Sequence, residues 1–237
     1  MEPNDRILAA LDTTDVGTAA GWATALQGRV GGIKLGKEFF TANGPDGVRR
    51  VTQGTGGGQP LFLDLKFHDI PNTVAGAIGS ALKVKPFMLN VHASGGRAMM
   101  EAAAAAVAEA GTERPILLGV TVITSLGDGD LADMGINGTA EQQVIRLAQL
   151  AQAAGLDGVV CSAKEITAIR EACGPAFKLV TPGIRPAWAS SDDQKRIVTP
   201  ADAVAMGADY LVIGRPITGA DDPAEAAARI GAELAGT

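Results

Sequence analysis

With 237 residues, 46% of them hydrophobic and 19% charged, the chain has material for a large core and lacks the composition of a disordered polyelectrolyte. A formal charge of −6 and the absence of any Lys/Arg cluster give no basic field for nucleic acid, so an anionic ligand must be met by a few locally placed cations. No positive segment leads into an apolar run at the N-terminus, and no apolar stretch reaches the roughly 18 residues of a membrane span, which predicts a cytoplasmic protein with no membrane partner.

In chain order, eight short apolar runs read as strands: RILAALD (6–12), GIKLGK (32–37), LFLDLKF (61–67), FMLNVHA (87–93), ILLGVTVI (116–123), GVVCSA (158–163), FKLVTPGI (177–184) and YLVIGRPI (210–217). Ala-rich stretches of helical period separate them. Val144, Leu147, Ala148 and Ala151, for example, make one apolar face. Thr139 with Gln142, and Ser162 with Glu165, have capping-box spacing, Asp222-Pro223 supplies an N-cap and first-turn proline, and Gly155 and Gly174 stand where helices should stop. Eight strand–helix units, with no linker, no sequence repeat and no second composition, predict one α/β domain over residues 1–237, a (β/α)₈ TIM barrel. An open Rossmann-like sheet is the alternative, but no G-x-G-x-x-G follows the first strand. The glycine-rich segment 53–60 precedes a strand and lacks the lysine of a phosphate loop, so it reads as a flexible surface turn on the barrel's N-terminal face. Cys161 and Cys173, too few for a disulfide framework and without metal-site spacing, read as buried thiols.

Alternation within the strands points to a site. Along the third strand Leu61, Leu63, Leu65 and Phe67 share one face, while Phe62, Asp64, Lys66 and His68 share the other. If the oily face packs under the helices, the charged face points to the barrel axis. The same rule sends Asp12 inward against Ile7, Ala9 and Leu11, Lys34 inward against Ile33 and Leu35, and Asn90 and His92 inward against Phe87, Leu89 and Val91. Charges drawn out of water cost several kcal/mol per ion unless they pair, so an alternating Lys–Asp–Lys–Asp array from Lys34, Asp64 and Lys66, with Asp69 as its last member, is expected at the C-terminal mouth. A purely architectural ion-pair network is the competing interpretation, disfavoured because apolar replacements are usually as stable. His68 and His92 lack Cys or Glu at ligand spacing, so hydrogen-bonded histidines rather than metal ligands are predicted. After strands seven and eight, TPGIRP (181–186) and IGRP (213–216) offer Gly183, Arg185, Gly214 and Arg215 where barrels frequently bind phosphate.

The segment DLKFHDIPNT (64–73), with its D-x-K-x-x-D core, resembles the signature of the orotidine 5′-monophosphate decarboxylase family. The likeness extends to Leu11-Asp12, to Lys34-Leu35-Gly36, to Thr124-Ser125-Leu126, to TPGIRP and to the terminal IGRPI, with no substitution inside these motifs. It implies a cofactor-free decarboxylase with no metal, in which Lys66 donates a proton to C6 of the pyrimidine and Asp64, Lys34 and Asp69 complete the charged array. It further implies that Asp12 and Lys34 hold the ribose hydroxyls, that Thr124 and Ser125 meet the pyrimidine edge, and that Arg185, Gln194, Gly214 and Arg215 bind the phosphate end. The resemblance implies Asp64, Thr73 and Pro182 as further substrate-binding positions. Asp69 and Thr73 would reach the neighbouring subunit's site, implying a homodimer.

Two alternatives compete. One is a magnesium-dependent sugar-phosphate lyase of the same suprafamily; by the resemblance such enzymes carry an acidic metal ligand on the second strand, where this chain has Lys34, with Glu38 beyond it in the next helix. The other is a non-catalytic nucleotide-binding barrel, which would gain nothing from placing Asp64 beside an anionic ligand.

Overall fold

The computed structural model describes residues 1–54, 56, 58–189 and 198–236. All eight expected strands form: Ile7–Ala10 (β1), Gly32–Gly36 (β2), Leu61–Phe67 (β3), Met88–His92 (β4), Ile116–Val120 (β5), Gly158–Val160 (β6), Lys178–Pro182 (β7) and Tyr210–Ile213 (β8). Each pairs in parallel with the next, and β8 returns to β1 to close a barrel. Around it lie Val16–Ala25 (α1), Lys37–Gly54 (α2), Pro71–Ala81 (α3), Arg97–Ala108 (α4), Asp128–Asp133 (α5), Ala140–Ala153 (α6), Ile166–Cys173 (α7), Pro200–Met206 (α8), Arg215–Thr218 (α9) and Pro223–Ala235 (α10). α2 is broken at Gly44, whose φ of 60° a side chain would resist, just before Pro45. Among the described residues no helix is long and apolar enough to cross a membrane.

The punctuation read from the sequence is present as hydrogen bonds. Thr139 Oγ1 accepts from Gln142 N at 3.2 Å while Gln142 Oε1 accepts from Thr139 N at 3.1 Å, and Asp222 Oδ1 accepts from the backbone of Ala224 and Glu225. Gly155 and Gly174 end α6 and α7 at φ of 85° and 80°. Free energy comes mainly from two apolar layers. Ile7, Ala9, Leu63 and Leu89 lie between strands and helices, whereas Leu8, Ala10, Phe62, Met88, Leu118, Val180, Tyr210 and Val212 fill the barrel's interior. Burying each large aliphatic or aromatic side chain contributes about 1.5–3 kcal/mol.

Phe87 departs from the expected alternation. It packs against the interior cluster, edge-on to Tyr210 at 6.0 Å between ring centroids, because β4 begins only at Met88 and the pleat does not yet constrain it. At the same end a local repetition emerges that the linear sequence hides. Asp157 N donates to Leu117 O at 3.0 Å while Asp157 Oδ2 accepts from Leu117 N at 2.8 Å, and Asp209 clasps Leu179 in the same way, at 2.9 Å in both bonds. Each aspartate follows by two residues a glycine of positive φ, Gly155 or Gly207. Of the glycine-rich segment, Gly56 and Gly58 are exposed, whereas Gln53 and Gly54 end α2 and Gln59 is buried, so the surface turn is shorter than expected.

Candidate active site

The inward-facing charges meet at the carboxyl ends of β1 to β3, beside Asn90 of β4. Lys34 Nζ lies 3.0 Å from Asp12 Oδ1 and 3.6 Å from Asp64 Oδ2, and Lys66 Nζ lies 2.6 Å from Asp64 Oδ1. The array is therefore Asp12–Lys34–Asp64–Lys66, with two cations facing two anions. Asn90, wholly buried, donates from Nδ2 to Asp64 Oδ1 at 2.6 Å. Burial alone would raise the Asp64 carboxyl, but Lys34 and Lys66, with the hydrogen bonds from Lys66 and Asn90, outweigh it and hold it below the ordinary 3.8. Asp64 thus stays ionised at neutral pH. Gly36 keeps room for this arrangement, since a Cβ there would stand 3.1 Å from Lys34 Nζ.

Asp69 does not join the array within one chain. β3 ends at Phe67, the chain turns, and Pro71 opens α3, so the strand's alternation no longer governs residue 69. The exposed Asp69 side chain instead accepts from the backbone N of Ile70 at 2.7 Å. Thr73 is likewise exposed, on the first turn of α3, beside an Ile70 that is 66% exposed.

Lys66 occupies a backbone position that simple alternation does not foresee. Its φ is 52°, in the left-handed region, where a non-glycine residue costs on the order of 1–3 kcal/mol. Register between β3 and β4 shifts here: Leu63 pairs with Leu89 but Phe67 pairs with Val91, so four steps on one strand face two on the other. The surplus is even, so Leu63 and Phe67 keep the same outward face. Lys66 N donates to Asn90 Oδ1 at 2.7 Å, which ties the displaced backbone to β4.

Two adjoining cavities open onto the array. One, of about 240 Å³, has Phe62, Val120, Val160 and Val212 as apolar walls and Asp64, Lys66, Thr124 and Cys161 at its polar margin. The other, of about 260 Å³, is bordered by Asp12, Lys34, Gly183, Arg185, Gly214 and Arg215. Both touch Asp64, Pro182 and Val212, so together they form one cleft in the size range of small-molecule sites. Ser125 is exposed in the turn beside Thr124, and Gln194 lies outside the described residues. Gly183 has φ 77°, and Arg215 is exposed at the start of α9. Farther along the post-β7 loop, Trp188 stacks on the Arg229 guanidinium of α10 at 4.2 Å, a contact no motif announced. Burial pushes the Cys161 thiol up to about 12, so it is an inert part of the wall.

His68 and His92 pack ring against ring at 5.4 Å, and among the described residues neither has the hydrogen bond expected of it. Among the described residues no group of three or more His, Cys, Asp or Glu is placed to hold a metal ion. Burial first, then the neighbouring charges of His68, Lys37 and Lys66, push the His92 imidazole from 6.5 down to about 4. The unfolded chain therefore takes up this proton more readily: stability is full above about 6.5 and is lost as pH falls toward about 4. Because the ring is partly exposed, its share is on the order of 1 kcal/mol. Melting curves from pH 7 to 4 should show a shallower decline for His92→Gln than for the wild type; parallel declines would remove His92 as a source of acid sensitivity.

A closed parallel barrel with ionisable groups gathered at the carboxyl ends of its strands, beside glycine- and arginine-bearing loops after β7 and β8, is the architecture of a (β/α)₈-barrel enzyme. Residues 5–230 match the model of the Orotidine 5'-phosphate decarboxylase / HUMPS family, and the chain belongs to that family. It is 56% identical over 234 residues to the orotidine 5'-phosphate decarboxylase of Rhodospirillum rubrum, covering 97% of this chain and 94% of that one. It is 53% identical over 239 residues to the enzyme of that name from Moorella thermoacetica, covering 99% and 94%. The crystal structure of orotidine 5'-phosphate decarboxylase from Lactobacillus acidophilus superposes with a TM-score of 0.82 at 34% identity, over 96% of this chain and 98% of that one.

Proposed function

We infer that this chain is a carboxy-lyase that converts orotidine 5′-monophosphate to uridine 5′-monophosphate and CO₂ in pyrimidine biosynthesis, its whole length acting as one cytoplasmic barrel domain. The observation that carries the inference is the Asp12–Lys34–Asp64–Lys66 array at the meeting point of an apolar cavity and a basic one. Nucleotide fits that division, with the pyrimidine against the apolar walls near Thr124 and Ser125 and the ribose hydroxyls on Asp12 and Lys34. The phosphate lies toward Arg185, Gly214 and Arg215, with Gln194 completing that end and Pro182 lining the passage.

In the reaction the bond from C6 to the carboxylate breaks, its electron pair stays on C6 and CO₂ departs. The Lys66 ammonium, held at Asp64, stabilises the developing negative charge and then transfers a proton to C6; the resulting amine regains its proton from solvent. A fixed cation in a cleft that excludes water needs no reorganisation at the moment charge develops, which is why such groups contribute more there than in bulk water. No cofactor enters these steps. Asp69 and Thr73 act in the site of a second copy, making a homodimer the working unit; their exposure beside Ile70 supports this.

Loss of orotidine 5′-monophosphate absorbance on adding the protein, with and without EDTA, tests the inference. Chelator-insensitive formation of uridine 5′-monophosphate is expected. No turnover by well-folded protein would overturn it, and chelator-sensitive turnover of a sugar phosphate would replace it with the magnesium-dependent lyase.

A further inference from the structure

We propose that Asn90 is a positioning residue for the decarboxylation: its one carboxamide holds the Lys66 backbone in its left-handed turn and fixes the Asp64 carboxylate that receives the Lys66 ammonium. The proposal rests on the function inferred above. Asn90 is 0% exposed, and both ends of its side chain are used. Oδ1 accepts from Lys66 N at 2.7 Å, and Nδ2 donates to Asp64 Oδ1 at 2.6 Å, the same oxygen that Lys66 Nζ reaches at 2.6 Å. Root and tip of the Lys66 side chain are therefore referenced to a single group on a neighbouring strand.

The chemistry requires an amide at this position. The backbone N–H of Lys66 has left the β3–β4 ladder at the register shift and needs an acceptor, while the ionised Asp64 needs a donor. Of uncharged side chains this short, only asparagine supplies both in one plane. The charged groups facing the pair are Lys34 from β2 and Lys66 from β3; the titratable His92 lies two residues along β4, its imidazole held down by burial. Neither lysine lies on β4, so among the described residues the Asn90 carboxamide is the group that holds the Asp64 carboxylate from the β4 side.

Asn90→Ala and Asn90→Asp, compared with the wild type on orotidine 5′-monophosphate, test the role. A reacting group displaced by about 1 Å can lose about 100-fold in rate, so Asn90→Ala should lose about that factor in kcat. KM should change less than about threefold, because the ribose and phosphate contacts are untouched. Asn90→Asp keeps the acceptor for Lys66 N but sets a second carboxylate against Asp64. Its kcat should fall at neutral pH and recover as pH is lowered, when a shared proton restores the donor. Asn90→Ala should show no such recovery. A crystal structure of Asn90→Ala should find Lys66 outside the left-handed region with Nζ withdrawn from Asp64.

A kcat within about threefold of wild type in Asn90→Ala, or a loss in Asn90→Asp that is constant with pH, would overturn the proposal. If Asn90→Ala does not fold, the pH profile of Asn90→Asp decides. Absence of turnover by the wild type would sink the inferred function instead, whereas Lys66 retaining its conformation in Asn90→Ala would refute the positioning role whatever the substrate.

Discussion

If Lys66 has the role proposed above, replacing it by alanine should lower kcat by about 10⁴-fold or more, since the variant would lose both the proton donor and the fixed cation beside C6, effects worth about 10²–10⁴ and 10²–10³ separately. The fold should survive. Asp64 keeps Lys34 at 3.6 Å and Asn90 at 2.6 Å, so its charge is not left unpaired, and alanine meets the same left-handed backbone penalty as lysine. Affinity for uridine 5′-monophosphate, measured by calorimetry, should stay within about tenfold, because the contacts proposed for the ribose and phosphate ends lie elsewhere in the cleft. Steady-state rates near those of the wild type would show that Lys66 neither protonates nor stabilises the carbanion.

The second large effect tests the proposed homodimer with shared sites. Asp69→Ala and Lys66→Ala preparations should each be almost inactive, and mixing them should restore about a quarter of wild-type activity. Random exchange between twofold-symmetric dimers makes about half of them hybrids, each with one site carrying neither substitution. The basis is that Asp69 and Thr73 are exposed, and that among the described residues Asp69 accepts from the backbone of Ile70 instead of turning back to Lys66. Native mass spectrometry would establish that hybrids formed. Hybrids without recovered turnover would place Asp69 in its own chain's site or in none.

Much of this arrangement could be read from the chain because it depends on periods of two and 3.6. Leu61, Leu63 and Leu65 against Phe62 and Asp64 define which side of β3 is the axis, and the caps at Thr139 and Asp222 mark helix starts by chemistry confined to four residues. What escaped depends on where a period stops. Asp69 lies two residues beyond the strand, and Phe87 one residue before its own. The left-handed turn at Lys66 also has no local signal, since lysine has no preference for it. It arises from the pairing of β3 with β4 and from Asn90, 24 residues away. Asn90 was legible as inward-facing, but its second role, toward the Lys66 backbone, exists only once the register shift does. Trp188 on Arg229 is a meeting of distant segments that no spacing rule encodes.

The register shift also says how such a site can change. A strand's alternation is a two-letter frame, and the surplus in β3 is a frame-preserving insertion: it lengthens the path between Leu63 and Phe67 without exchanging the barrel's inside for its outside. A surplus of odd length would turn Phe67 into the mouth and send the residue in Lys66's place under the helices. Reach across the barrel can therefore be adjusted in steps of two residues at this point, with the core left in register.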